Sequence, residues 1–314
     1  MPPPSVQNRH QKQYMGLRVN EFRRLLVHLD ETGIPDSAIT IGRMDIFLNA
    51  NSIENICKHH GLPIPPKDGH LYSSKRAFLD NFLRDINVRR VDMVDYSDFE
   101  GANIIHNLSI PMGPIANSYQ LVYESGTLEH IFDFPTALEN VLRLCAIGGY
   151  VVLNMPCNNQ AGHGFFQFSP ELFFSIFRES SLFSLESVEV YEDFDESQRF
   201  SVWDPKLCNH RVEVRSVLPV NMTIVLKRTN IAEGNNILPA NVIQADYASA
   251  WSKRTVLGSQ TASRGRVWTQ SLQQRRKLML KIDSVLLGFV RWLISIRRRQ
   301  YYLGSMRRDL TEVE

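Results

Sequence analysis

Apolar positions along the first ninety residues recur at two different periods. Leu17, Phe22, Leu25, Leu26 and Leu29 fall at near-helical spacing and predict a helix over residues 17–30, stopped by Thr32-Gly33-Ile34-Pro35-Asp36. Ser37-Ala38-Ile39-Thr40-Ile41-Gly42 predicts a short buried strand that ends in glycine. A second helix is expected over about 46–60, closed by Gly61, and the proline-rich stretch 62–69 is a loop. Ser73 opens a third helix, with Phe78, Leu79, Phe82, Leu83 and Ile86 on one face.

The rhythm then changes. Val91-Asp92-Met93-Val94-Asp95 predicts a strand ending in an acid, and Asn103-Ile104-Ile105-His106 and Gln120-Leu121-Val122-Tyr123 predict two more. A helix over 135–144 follows, and Gly148-Gly149 turns the chain into the strand 150–154. Ser169 and Pro170 form a helix start, as N-cap and first helical residue. Strands over 185–191 and 221–226 are expected to pair antiparallel. Short, wholly apolar strands alternating with helices predict an α/β fold, doubly wound around a mainly parallel seven-stranded sheet. The expected divisions are an N-terminal arm and helix (1–36), the α/β domain (37–228), and an accessory linker with a basic amphipathic helical tail (229–314).

Composition narrows the class. At 43% hydrophobic, 22% charged and 10% aromatic, the 314 residues exclude a disordered chain. The four cysteines, Cys57, Cys145, Cys157 and Cys208, are scattered, and no CxxC pair suggests a zinc ribbon. They are expected to be reduced, mostly buried thiols of a cytoplasmic protein. The first fourteen residues lack the apolar core of a secretory signal, and no run of about twenty apolar residues predicts a spanning helix. Phosphate-loop, nucleophile-elbow and His-Glu-x-x-His patterns are absent, and the adjacent His59-His60 cannot face one metal from one side of a helix, so no metal is expected.

In an open parallel sheet, ligands sit beyond the carboxyl ends of the strands where the strand order reverses. That rule singles out Gly42, Asp95 and the segments after Tyr123 and Asn154. A terminal glycine admits close backbone approach, and a terminal carboxylate can accept hydrogen bonds from two ribose hydroxyls, although either residue can equally serve a turn.

Residues 119–156, YQLVYESGTLEHIFDFPTALENVLRLCAIGGYVVLNMP, are more specific. Tyr119–Val122, Leu128-Glu129-His130, Arg143-Leu144, Gly148-Gly149 and Pro156 resemble the fourth-to-fifth-strand region of class I S-adenosylmethionine-dependent methyltransferases. The resemblance spans about 39–226 and is nearest to a poorly characterised bacterial branch with matching stretches at 95–102 and 162–171. It implies a Rossmann-like fold and S-adenosylmethionine as cofactor. Gly42 would lie under the cofactor, Asp95 would hold the ribose and Asn107 would meet the adenine amino group. Ser125 and Gly126 would line the reactive end, or form a simple turn. His130 with Glu129, or His163 in its Gly-His-Gly loop, would act as general base on the acceptor. Each histidine also has a structural reading, His130 bonded to backbone near a helix start and His163 in a loop followed by core phenylalanines. The acceptor would be a small molecule or a glycan, in a surface-glycan setting. One departure stands out: only Gly42 occupies a loop where the family has several glycines. That loss suits a non-catalytic methyltransferase-fold scaffold or binding subunit as the alternative.

The net charge of +2 hides an asymmetry. Residues 252–314 carry 14 Lys/Arg against 4 Asp/Glu, and the rest of the chain 21 against 29. Within 275–299, arginines flank an apolar run at 284–296 too short to span a bilayer. An anionic membrane surface is the expected partner, giving a peripheral place at the inner face of the membrane. A second copy in a homo-oligomer is the other expected partner, and nucleic acid is disfavoured because the charges flank an apolar block.

Overall fold

A computed structural model describes residues 16–113, 118–193, 198–208, 211–230, 237–247 and 310–312. The predicted tail helix and the stretch 275–299 lie outside the described residues. The chain runs β1 (Gly16–Leu17), α1 (Val19–Thr32), β2 (Ser37–Ile41), β3 (Asp45–Ile46), α2 (Ala50–His59), α3 (Leu79–Asp85), β4 (Arg90–Asp95) and β5 (Ile104–Ile105). It continues with β6 (Tyr119–Ser125), a 3-10 turn (Leu128–His130), α4 (Phe134–Leu144), β7 (Cys145–Asn158) and α5 (Pro170–Phe177). Then come β8 (Phe183–Glu192), β9 (Phe200–Val202), α6 (Pro205–Cys208), β10 (Val220–Arg228) and β11 (Leu310–Glu312).

The main sheet has the order β11-β9-β8-β10-β7-β6-β2-β4-β5. β5, β4, β2, β6 and β7 are parallel, and β10 lies antiparallel between β7 and β8. The seven expected strands are therefore contiguous, and the short β9 and β11 extend one edge. The expected pairing of 185–191 with 221–226 is present in the β8–β10 ladder. β1 and β3 form a separate two-stranded piece.

Both faces of the sheet are covered, and the two-residue strand period divides one apolar run between two cores. Ile39, Val122, Val151, Leu153 and Ile224 pack with α4 and α5. Ala38, Leu121, Tyr123, Val152 and Val225 face the other way, onto Phe22, Leu25, Leu26 and Leu29 of α1 and onto α2 and α3. Helix starts follow side-chain capping. Asn49 Oδ1 accepts from Ser52 N at 2.9 Å, Asp133 from Thr136 N at 3.3 Å, and Ser169 Oγ from Glu171 N at 3.2 Å.

Four boundaries depart from expectation. Neither Leu17 nor Ile46 is helical, because they pair with each other in the β1–β3 piece, and the second helix starts at Ala50 under the Asn49 cap. The third helix starts at Leu79 rather than Ser73. Residues 76–78 are held against β3 by the Arg76–Asp45 ion pair, the Ile46 N to Ala77 O bond of 2.7 Å and a Phe78–Asp45 bridge. β7 begins at Cys145, and the predicted Gly148-Gly149 turn is a bulge inside it, where the β6 partner shifts from Cys145 to Tyr150. All four cysteines are unpaired, two buried and two half-buried.

Leu25 lies fully buried at the α1–sheet contact. Leu25→Ala is expected to cost about 2–5 kcal/mol, read as a lowered urea midpoint with an unchanged slope.

Candidate active site

The sheet reverses its winding beside β2. From β2 the chain steps outward to β4 and β5, then returns to place β6 on the other flank and continues to β7. Loops leaving β2 and β6 lead to opposite sides of the sheet, and the crevice outside the carboxyl ends of such a strand pair is where open α/β sheets bind ligands. Gly42 stands on one side with φ +81°, its N–H bonded to Val94 O at 2.7 Å. On the other stand Ser125 and Gly126, the latter at φ +89°. Thr127 Oγ1 donates to Ile41 O at 2.8 Å and ties the two loops together.

Next to this crevice, over the ends of β6, β7, β8 and β10, lies a cavity of about 170 Å³. Ser125, Gly126, Glu129, His130 and His163 line it, as do Arg18 and Glu21 from the start of α1. Asn154, Gln160, Tyr191, Asp193 and Asn221 complete its polar wall, and Asp193 pairs with Arg18. The 3-10 turn after β6 carries Glu129 and His130. Glu129 is 1% exposed at its side chain, His163 25% and His130 45%. His163 Nε2 lies 3.2 Å from Glu129 Oε1, and His130 Nε2 lies 3.9 Å from the same oxygen.

The Gly-His-Gly loop explains how a residue so far along the chain reaches Glu129. Gly162 holds φ +92°, a conformation that side chains rarely adopt. A Cβ on Gly164 would stand 2.8 Å from both Glu129 Cγ and Glu129 O. Only a bare backbone can come that close, and it lets Phe165 N bond Glu129 O at 2.8 Å. Phe168 then packs in the core while Phe165 is exposed and stands 6.3 Å, ring to ring, from Phe132. Of the aromatic run, only part is core.

Five residues singled out by sequence thus meet in one place: Ser125, Gly126, Glu129, His130 and His163. Gly42, Asp95 and Asn107 do not line this cavity. Asp95 ends β4, and its Oδ1 accepts from Tyr96 N at 2.6 Å. Asn107 Oδ1 caps a turn through Ser109 N at 3.0 Å. Glu21, Asn154 and Tyr191 also line the cavity and are not singled out by sequence. Glu21 shares a helix face with Leu25 and His28, whereas Glu124, beneath the cavity, falls in the segment after Tyr123 that the strand-end rule singles out.

No model of a known protein family matches the chain, and no curated protein is similar to it in sequence. Some solved structures resemble it. The TehB-like SAM-dependent methyltransferase of Corynebacterium glutamicum ATCC 13032 is 14% identical at a TM-score of 0.35, over 66% of this chain and 88% of its own. The N-methyltransferase NodS of Bradyrhizobium japonicum WM9 is 12% identical at a TM-score of 0.33, over 67% and 96%. The trans-methyltransferase CalH in complex with SAH is 13% identical at a TM-score of 0.35, over 68% and 57%. The strand order of the chain itself is the firmer guide to its architecture.

Carboxylates dominate the electrostatics of the site. Glu124 is fully buried, and burial together with the neighbouring Glu129 carboxylate pushes it up to about 8, against the N–H groups of Thr127 and Leu128 that bond its Oε1 at 2.7 and 3.2 Å. Glu124 Oε2 is buried with no hydrogen-bond partner, as is Glu129 Oε2. His163 is raised above the ordinary imidazole value by its bond to Glu129, against the opposing effect of burial. Burial likewise raises Glu21, although Tyr191 donates to its Oε1 at 2.6 Å.

Glu124 therefore keeps its proton in the folded chain through a range where the unfolded carboxyl, near 4.5, has lost it. Its contribution to stability is complete below the unfolded value and is lost as pH rises through the folded one. Relative to wild type, Glu124→Gln is expected to gain stability steadily between about pH 5 and pH 8. Urea unfolding across that range checks it, and a pH-independent difference would contradict it.

Proposed function

We propose that the protein transfers a methyl group from S-adenosylmethionine to a small-molecule or glycan acceptor. The cofactor would lie across the ends of β2, β4 and β6, with the acceptor in the cavity over β6, β7, β8 and β10. The observation that carries this reading is the sheet order β5-β4-β2-β6-β7-β10-β8 with β10 alone reversed. That is the strand order of the class I methyltransferase sheet.

The residues along the β2–β4–β6 edge suit an adenosine-bearing group. Gly42 and Gly126 both hold positive φ and put no Cβ at the crevice. Asp95 ends β4 with a half-buried carboxylate able to accept from ribose hydroxyls. Tyr96 and Phe99, on the loop that follows, are strongly exposed aromatics, and exposed apolar surface beside a polar edge suits a ligand. Gly42 would underlie the cofactor, Asp95 would hold the ribose and Asn107 would meet the adenine amino group. Ser125 and Gly126 would flank the reactive end. When bound, S-adenosylmethionine supplies an electrophilic methyl group on a sulfonium.

The cavity beside that edge is smaller than the roughly 300–1,000 Å³ of a whole-ligand pocket, so it suits the reacting group of an acceptor. Its wall of Arg18, Asn154, Gln160 and Asn221 suits a hydroxyl-rich molecule. Methyl transfer gains most from positioning, and an acceptor hydroxyl must also give up its proton. The carboxylates and imidazoles of the cavity wall are Glu21, Glu129, His130, His163 and Asp193, and Glu129, His130 and His163 are the ones assigned to weakening the hold on that proton.

Calorimetry with S-adenosylhomocysteine tests the reading. Binding in the micromolar range is expected, and Asp95→Ala should weaken it at least about tenfold, or about 1.4 kcal/mol. Absence of binding at millimolar ligand would overturn it in favour of a non-catalytic scaffold.

A further inference from the structure

The Glu129 carboxylate is buried beneath two imidazoles and keeps one oxygen without a hydrogen-bond partner. Such an oxygen is costly in a low-dielectric site unless a proton or a cation satisfies it. Two imidazoles close by offer the rest of a ligand set. One candidate ligand atom each from Glu129, His130 and His163 falls within 4.8 Å of the others. Zinc-type bonds to nitrogen and oxygen of about 2.0–2.2 Å place tetrahedral ligand atoms about 3.3–3.6 Å apart. The imidazoles approach the other oxygen of the carboxylate: Glu129 Oε1 lies 3.2 and 3.9 Å from the two Nε2 atoms, distances that bracket that spacing, while Oε2 is the oxygen left without a partner.

The three residues are also held in place. His130 N bonds Thr127 O at 3.1 Å, and Glu129 O anchors the Gly-His-Gly loop through Phe165 N. All three border the cavity, so coordination positions not filled by protein would open into it.

We propose that Glu129, His130 and His163 bind a single divalent transition-metal ion. Two imidazoles and a carboxylate suit Zn²⁺, Co²⁺, Fe²⁺ or Mn²⁺ rather than Ca²⁺, which takes all-oxygen sets. The bound ion would face the cavity as a Lewis acid, drawing in an oxygen-bearing acceptor and lowering its hydroxyl pKa, with the proton passing to water. That role rests on the methyl-transfer reading, whereas metal binding does not.

The test is a Co²⁺ titration of chelator-treated full-length protein, followed by visible absorption, with Zn²⁺ as competitor. One Co²⁺ per chain is expected, with visible bands that Zn²⁺ abolishes. His130→Ala and His163→Ala should each weaken binding at least about tenfold. Circular dichroism and S-adenosylhomocysteine calorimetry on the same samples establish that the variants are folded and judge the methyl-transfer reading separately. Absence of saturable Co²⁺ or Zn²⁺ binding, or binding of unchanged strength in both histidine variants, overturns the metal site. Should S-adenosylhomocysteine fail to bind while Co²⁺ does, the ion site stands and its assigned role in methyl transfer falls.

Discussion

The reversal of winding between β2 and β6 is the constraint from which the rest follows. Loops that leave two adjacent parallel strands in opposite directions cannot close over the sheet edge, so backbone ends and side chains converge on an open crevice. Here that crevice is flanked by two glycines with positive φ, Gly42 and Gly126, and bridged by one hydroxyl, Thr127, bonded to Ile41 O. The reversed β10 extends the same edge: its amino end, at Asn221, stands beside the carboxyl ends of β7 and β8. Both sides of the candidate active site therefore belong to one continuous rim.

Helix α1 makes the wall of that rim polar. Tyr191 and the Arg18 N–H both bond Glu21, and Arg199 joins Glu189, Thr223 and the Asn20 carbonyl at 2.8, 2.9 and 3.1 Å. Thr223 donates to Asn154, which donates to the Tyr123 hydroxyl. Buried networks of this sort add little net stability over an apolar replacement, but removal of one partner leaves the others stranded. Leu17 and the α1 leucines anchor the helix, and the network fixes where its polar end lies. Helix α1 thus contributes both to the core packed on the sheet and to the cavity wall.

Glu124 and Glu129 show how one short segment sets two different electrostatic conditions. Glu124 is held deep at the end of β6 under the N–H groups of the following turn, and its proton replaces a counter-charge. Glu129 sits one turn later, shielded from water yet beside two imidazoles. The Leu-Glu-His segment therefore carries residues that meet the cavity, and the acid preceding it is sealed beneath.

Much of this was decided locally. Apolar runs of four to six residues marked β2, β4, β6 and β10, and capping at Ser169 marked the start of α5. Short-range preferences act within a few residues, so the sequence alone determines them. The Gly-His-Gly segment is likewise recognisable from its own composition, and Glu129-His130 from the Leu-Glu-His pattern of the resemblance. Their meeting could not be read that way, because 34 residues of chain separate Glu129 from His163 and only packing of Gly164 against Glu129 closes the gap. Nor could the start of the third helix, where the Arg76–Asp45 pair overrides helical spacing, or the place of Glu21, whose partner Tyr191 lies 170 residues away. Contacts over such separations have no local signature: they exist only once the sheet has brought distant strand ends to a common edge.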